Sequence, residues 1–328
     1  MCSASSLDEV MQVFNFRGRG FCLRGERAGF PEGRPAGAES GRPGGGHEAP
    51  FVGDVEERLC SLDKIGYSGK TLSNEKRVLL QNSLLILQND NHFQHVYFWG
   101  HIYGIKTDYF VAYGYEKDIL KGRVFYYSTN CIEWGLLPKA EPDAKQLSLI
   151  VSTQFQGDPA LTIAVDMEGY DLSIQDSLVH MPEIKLKEED RLASVVSLIN
   201  DEAAVVPRGA LFKGTDGIIV ENLAFTGLSM LEAKQKCSYL HYRIPQQRWN
   251  TNLLIRPDYN FALDFLDTID IDIPEGCWSH QFEMGGRLSI LRSLYWPGMT
   301  FYHCVGTPEH GFMYTGNGRW NIDLPFML

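Results

Sequence analysis

Between His95 and Ser128 large apolar side chains run almost without interruption: HVYFWGHIYGI over His95 to Ile105, YFVAYGY over Tyr109 to Tyr115, and RVFYYS over Arg123 to Ser128. Aromatic and β-branched residues at this density, broken at Lys106-Thr107-Asp108, predict a three-stranded meander. A second antiparallel region is expected at the end of the chain. Leu288, Ile290 and Arg292 begin a period-two pattern, Trp296-Pro297-Gly298 makes a corner, and Met299 to Cys304 returns as a strand. Gly311 to Gly316 gives a further strand, and Leu324 to Leu328 is apolar enough to predict a tail docked on its own core or on a partner.

Helical periodicity occurs between these regions. One helix is expected over Val55 to Ile65, and another from a Ser73 cap through Glu75 to Gln88. In the latter, Arg77, Gln81 and Gln88 form a narrow polar strip while Val78 to Leu80 and Leu84 to Leu87 cover the rest, so burial on several sides is predicted. Glu188, Glu189 and Asp190 suit a helix start, followed by Leu192, Val195, Val196 and Ile199 at i, i+3, i+4 and i+7. Ser229 and Glu232 form a capping-box pair before a helix whose inner face is Met230, Ala233, Cys237 and Leu240. A short helix is expected over Phe261 to Ile269, and strands over Ala203 to Phe212, Gly217 to Phe225 and Trp278 to Met284. Pro207 assigns the first of these strands to an edge or bulge. Helices mixed with antiparallel strands, without regular strand and helix alternation, predict an α+β protein: an antiparallel β-rich body with several short helices in two loosely divided lobes.

The expected organisation has four parts. Residues 1–53 form an extension whose Gly18 to His47 tract is rich in Gly, Arg, Pro, Glu and Ala; it lacks the apolar content to offset its ordering entropy, and its six arginines, Arg17, Arg19, Arg24, Arg27, Arg34 and Arg42, leave a basic tether as the alternative to a disordered tail. Residues 54–140 form a lobe of helices and meander, 141–188 an acidic polar connection with a Gly157-Asp158-Pro159 turn, and 189–328 a second α+β lobe.

Composition narrows the classes of function. With 44% hydrophobic and 12% aromatic residues, the 328-residue chain supports a sizeable core. A formal charge of −11 disfavours nucleic acid and anionic membrane as partners. The seven cysteines show no CxxC spacing, which argues against a zinc site or a disulfide framework and for a reducing compartment. No secretory signal and no apolar run of about 20 residues is visible, so a soluble intracellular protein is expected.

Catalytic patterns are weak. His92 and His95, with His101 nearby, have metal-like spacing but no dictated third ligand. Asp264, Asp267, Asp270 and Asp272 are the densest carboxylates, yet interleaved Leu, Phe and Ile residues do not suit a calcium loop. Glu275 and Glu283 form an acid pair without an evident cleft, and Cys304 and His303 should face opposite sides of a strand. No phosphate-cradling or dinucleotide motif and no nucleophile elbow is present. The reading is therefore of a non-enzyme without cofactor or metal; a carboxylate- or metal-dependent hydrolase and a small-ligand module on the aromatic sheet are the alternatives. The rings in excess of one core's needs suit protein interfaces.

Five blocks in order, FWG (Phe98 to Gly100), NCIEWGLLP (Asn130 to Pro138), PRGALF (Pro207 to Phe212), LRSLYWPG (Leu291 to Gly298) and DLPFML (Asp323 to Leu328), resemble the radial spoke head protein 9 family. The resemblance covers Asp54 to Leu328, departs from the family at Gly135, where serine is usual, and does not extend to residues 1–53. It implies a non-catalytic structural subunit of the radial spoke head in the ciliary and flagellar axoneme, soluble in the cytoplasm before assembly. It further implies support of spoke assembly, relay of central-pair signals to dynein, and obligate hetero-oligomeric assembly with other head subunits, especially the paralogous proteins 4 and 6.

Overall fold

A computed structural model describes residues 62–68, 71–165, 184–246 and 258–327. The expected extension 1–53 and the start of the Val55 to Ile65 helix lie outside these residues. The end of that helix falls in a 3-10 turn at Leu62–Ser68. Helix α1 follows at Asn74–Asp90, with the Ser73 hydroxyl accepting the Lys76 N–H at 3.3 Å as the sequence predicts. The meander is β1 (His95–Ile102), β2 (Tyr109–Tyr115), β3 (Val124–Ser128) and the two-residue β4 (Gly135–Leu136).

The region expected as a polar connection holds helix α2 (Pro142–Ile150) and a strand pair, β5 (Thr162–Val165) with β6 (Ile184–Lys187). Pro142 at the helix start and Asp143 in its first turn explain α2, a signal masked in the sequence by the surrounding polar residues. Helix α3 (Glu188–Ala203) opens on its three acids as expected. Short strands β7 (Val205–Pro207), β8 (Leu211–Lys213) and β9 (Ile219–Glu221) come next, then α4 (Met230–Ala233) and β10 (Tyr239–His241). Pro207 ends β7, which pairs with β10 alone and is an edge strand.

Strands β11 (Trp278–Glu283), β12 (Leu288–Ser293), β13 (Met299–Cys304) and β14 (His310–Gly316) complete the chain before α5 (Leu324–Met327). They join the meander in one eight-stranded sheet of order β11-β12-β13-β14-β1-β2-β3-β4. Strands from both expected lobes thus share a sheet, and their seam is the parallel pairing of β1 with β14. On its other side, against β2, β1 shifts register between Phe98 and Gly100. Gly100 has φ +144°, and a Cβ there would overlap the Tyr314 backbone. Only glycine fits.

Alternate residues of the sheet feed two different cores. Val111, Leu291, Phe301, Phe312 and Tyr314 pack with Leu192, Val196 and Ile199 of α3 on one face. Phe110, Ile290, Tyr302 and Met313 pack on the other with Leu80, Leu84 and Leu87 of α1 and Ile65 of the 3-10 turn. A sheet covered on both sides has no polar face, which explains the continuous apolar runs of β1 and β2.

Three expected elements differ. α1 is buried along one side only: Val78 is 55% and Ile86 60% exposed, while Gln88, expected on the polar strip, is buried and donates to the Gln94 carbonyl at 2.9 Å. Phe261 to Thr268 is not helical, and Ile269 only opens a 3-10 turn, Ile269–Ile271. Asn260 accepts the Ala262 N–H through its side chain at 3.0 Å and donates its own N–H to the Asp264 carboxylate at 2.8 Å, the kind of local side-chain bonding that competes with helix. The Ser229 helix has its full capping box but ends after Ala233; Cys237 lies in a 3-10 turn and Leu240 in β10.

Candidate functional site

The four clustered aspartates do not converge on one point. Asp264 accepts a bidentate bond from Arg208, Nε to Oδ1 at 2.5 Å and Nη2 to Oδ2 at 2.7 Å, and Arg208 also reaches Asp258. Asp267 accepts Arg243 Nη1 at 2.7 Å and the Gln246 N–H at 2.9 Å. Asp272 holds His241 Nε2 at 2.9 Å and the Trp278 indole N–H at 2.9 Å. Asp270 alone is exposed. Each buried carboxylate thus accepts hydrogen bonds from a side chain of residues 208–243, and together the pairs pin a loop, which is non-helical and therefore short of backbone bonds, to β7 and β10. Arg208 lies above its usual range because of the bonds to Asp264 and Asp258. Carboxylates held this way are structural counter-ions, not a general acid and base.

A fourth buried carboxylate is one that the sequence marks only as part of a helix start. Glu188, fully buried, accepts the backbone N–H groups of Gln156, Gly157 and Asp158 at 2.8–3.2 Å and the Tyr109 hydroxyl at 2.8 Å. Burial, then this bond, pushes the Tyr109 phenol far above its ordinary value. The Gly157-Asp158-Pro159 turn is therefore closed by the first residue of α3. One turn on, Arg191 lies over the Phe155 ring at 4.2 Å and donates to the Thr153 carbonyl at 2.6 Å; burial lowers its guanidinium to about 10.

His303 and Cys304 face opposite ways, as expected. Nε2 of His303 accepts the Leu228 N–H at 3.1 Å, so Nδ1 carries the proton and donates to the Glu309 carbonyl at 3.1 Å. Burial depresses His303 to about 4, and the ring is neutral. Cys304 lies 3.4 Å from Lys64 Nζ, beside the Lys64–Glu309 ion pair, and burial raises its thiol above the ordinary value. A protonated thiol on the far side from a neutral imidazole is not a nucleophile–base pair. Of the histidines, His92 is exposed in a left-handed turn at the end of α1, His95 makes tilted ring contacts with Tyr97 and Tyr115, and His101 is buried against Phe110. Among the described residues, no group of three or more His, Cys, Asp or Glu is placed to hold a metal ion. Glu275 is exposed, and Glu283 faces Arg292 at 3.7 Å.

The aromatic surplus is consumed by the two cores: Tyr97 stacks on Tyr113 at 5.2 Å, Tyr113 on Phe312 at 6.4 Å, and Trp99 meets Tyr314 at 5.3 Å. The apolar surface instead gathers at the tail. Leu324 is buried in the core under α3, which docks α5, while Phe326 is 77% and Met327 71% exposed. The tail continues into a patch. Asn321 Nδ2 donates to the Leu294 carbonyl at 3.2 Å and approaches Met327 Sδ at 3.7 Å, Trp320 packs on Tyr295 at 5.8 Å and donates to the Leu149 carbonyl at 3.3 Å. Leu149, Leu294 and Ile322 are also exposed. An apolar patch of this kind, with the exposed Arg319 and Asp323 next to it in sequence, has the character of a protein contact surface rather than of a reaction site. Among the described residues, no helix is long and apolar enough to cross a membrane.

No family model matches the chain. Whole-chain relatives do. A radial spoke head protein 9 homolog from Danio rerio is 44% identical over 274 residues, covering 82% of this chain and 97% of the relative. Homologs of the same name from Bos taurus and Homo sapiens are 42% and 41% identical, and each is covered over 100% of its length by 84% of this chain. This chain is therefore longer than those two relatives.

Proposed function

We infer function from one premise: the chain belongs to the radial spoke head protein 9 family. It is a non-catalytic structural subunit of the radial spoke head of the ciliary and flagellar axoneme, where it supports spoke assembly and the relay of central-pair signals to dynein-driven bending. The observation that carries this reading is the alignment over the full length of the relatives. The geometry agrees with it. The carboxylates that suggest hydrolysis are bound as counter-ions, and the rings that suggest a ligand platform are packed against one another.

The chain works in the spoke complex with other head subunits, and we assign the paralogous radial spoke head proteins 4 and 6 as its direct partners. The exposed tail, Ile322, Phe326 and Met327 with Leu294 and Leu149, is the contact surface offered for that pairing. Co-expression with tagged proteins 4 and 6 tests it. The native chain should be captured, and a Phe326→Asp, Met327→Asp double variant should be lost from the capture at an unchanged melting temperature, because neither residue belongs to the core. Equal capture of both chains would remove the tail from the interface. No capture of the native chain would remove proteins 4 and 6 as direct partners.

A further inference from the structure

A thiol, an amine and a carboxylate meet where the 3-10 turn Leu62–Ser68 touches the hairpin of β13 and β14. Cys304 ends β13, Glu309 stands just before β14, and the Cys304 N–H donates to the Glu309 carbonyl at 3.0 Å. Lys64 Nζ lies 3.4 Å from Cys304 Sγ and pairs with the Glu309 carboxylate, to which the thiol also bonds. Ile65, the next residue, is buried with Leu80, Leu84 and Leu87 of α1, which fixes the base of the Lys64 side chain. Burial works against the charge on Lys64, but its bonds to Glu309 and Cys304 outweigh that and hold it above its ordinary value. The bond to Lys64 keeps Glu309 below the usual carboxylate range. While the sulfur stays reduced, the cluster is an ion pair beside a protonated thiol.

Among the described residues the other cysteines differ. Cys131 and Cys277 are buried, and Cys237 Sγ lies 3.5 Å from the Gln235 amide oxygen. Cys304 is partly exposed, and the side chains beside it, Lys64 and Glu309, are 31% and 41% exposed, so a small oxidant in water reaches the sulfur. We propose that a hydroperoxide converts this contact into a covalent link between Lys64 Nζ and Cys304 Sγ, fastening the 3-10 turn to the sheet.

Two steps give the link. The sulfur attacks one peroxide oxygen and the O–O bond breaks; Cys304 becomes a sulfenic acid, and the thiol proton passes by way of Glu309 to the departing hydroxide, giving water. The sulfur loses two electrons, which the peroxide oxygens gain. Lys64, after releasing its ammonium proton to solvent, attacks Sγ with the nitrogen lone pair. The N–S bond forms, the S–O bond breaks, and the leaving hydroxide takes a second proton from nitrogen. One ammonium, one thiol and one hydrogen peroxide thus yield one sulfenamide, two waters and one proton. The protonated thiol makes the first step slow, although its thiolate, once formed, is the more nucleophilic for its high proton affinity. The second step starts from an amine already at near-attack distance, and rotation of the flexible Lys64 stem closes the gap. The link ties residues 240 apart in sequence and restricts the unfolded chain as a disulfide does.

Millimolar hydrogen peroxide applied to the full, reduced chain, followed by proteolysis and mass spectrometry, tests this. The peptides that carry Lys64 and Cys304 should appear joined, about 2 mass units lighter than their sum, and dithiothreitol should separate them. The chain unfolded in guanidinium should give about tenfold less of the joined peptide, because only the fold brings the two groups together. Lys64→Arg keeps the ion pair but offers no free amine. In that variant the joined peptide should vanish, and dimedone, which traps sulfenic acids, should label Cys304 instead. The linked native chain should melt about 5 °C above the reduced one. Absence of the joined peptide from the native chain, whether Cys304 stays reduced or stops at an oxygen acid, would overturn the proposal. Equal yields from folded and unfolded chain would do the same, as would equal dimedone labelling of the native chain and the Lys64→Arg variant. An unchanged melting temperature of the linked chain would overturn the fastening. Peptide mapping of the native chain decides the matter if the variant fails to fold.

Discussion

The backbone N–H of Leu228 donates to Nε2 of His303, 3.1 Å away and wholly inside the protein. This bond requires a neutral ring, and burial depresses the imidazole to about 4 against an ordinary 6.5. Between these values the unfolded chain binds a proton that the folded chain excludes, so stability rises with pH there. The contribution is fully present above pH 6.5 and is lost as pH falls toward 4. Its full size is on the order of 3 kcal/mol. Urea midpoints measured from pH 7 to pH 4.5 should fall for the native chain and show a shallower fall for His303→Gln.

Arg243 and Asp267 are both more than nine-tenths buried and 2.7 Å apart. Asp267→Ala strands a buried guanidinium and leaves the Gln246 N–H without its acceptor, so a loss of about 3–5 kcal/mol is expected. Replacing both partners, by Arg243→Met and Asp267→Leu, should cost less than the Asp267 change alone. Chemical denaturation of the three variants checks the order.

Gly100 lies at the seam between β1 and β14 with φ +144°, where a Cβ would overlap the Tyr314 backbone. Gly100→Ala should therefore part the parallel pair and destabilise the protein by roughly 3 kcal/mol or more. Gly217, also left-handed but with open space around its would-be Cβ, is the control, and its alanine variant should cost about 1 kcal/mol. Melting temperatures separate the two.

The capping box of α4 is complete: the Ser229 hydroxyl accepts the Glu232 N–H at 3.3 Å while the Glu232 carboxylate accepts the Ser229 N–H at 2.9 Å. These bonds to Ser229 hold Glu232 below the usual carboxylate range. Ser229→Ala should cost about 1 kcal/mol, seen as a small drop in urea midpoint at neutral pH.

Local signals in the chain foretold the elements whose causes are local. The Ser73 and Ser229 caps, the acidic start of α3, the edge position of Pro207 and the antiparallel strands at both ends are where periodicity and turn chemistry place them. What escaped depends on contacts distant in sequence. Nothing near Gly100 reveals that β1 will lie parallel to β14, more than two hundred residues on, and so tie the expected lobes together. The aspartates at 264, 267 and 272 attract notice as a cluster, but their partners Arg208, Arg243 and His241 stand in other segments, so spacing alone does not reveal that the acids are buried partners of those side chains. Val78 and Ile86 fit a helix buried on several sides, yet the sheet covers only one side of α1. The tail was legible as apolar; that Leu324 turns inward while Phe326 and Met327 turn out needed the fold.

Membership of the spoke head is the central claim, and salt extraction of isolated axonemes tests it most directly. The full chain should elute in one large particle together with the other spoke-head subunits, identified by mass spectrometry. Elution alone, as a small soluble species absent from that particle, would contradict the account.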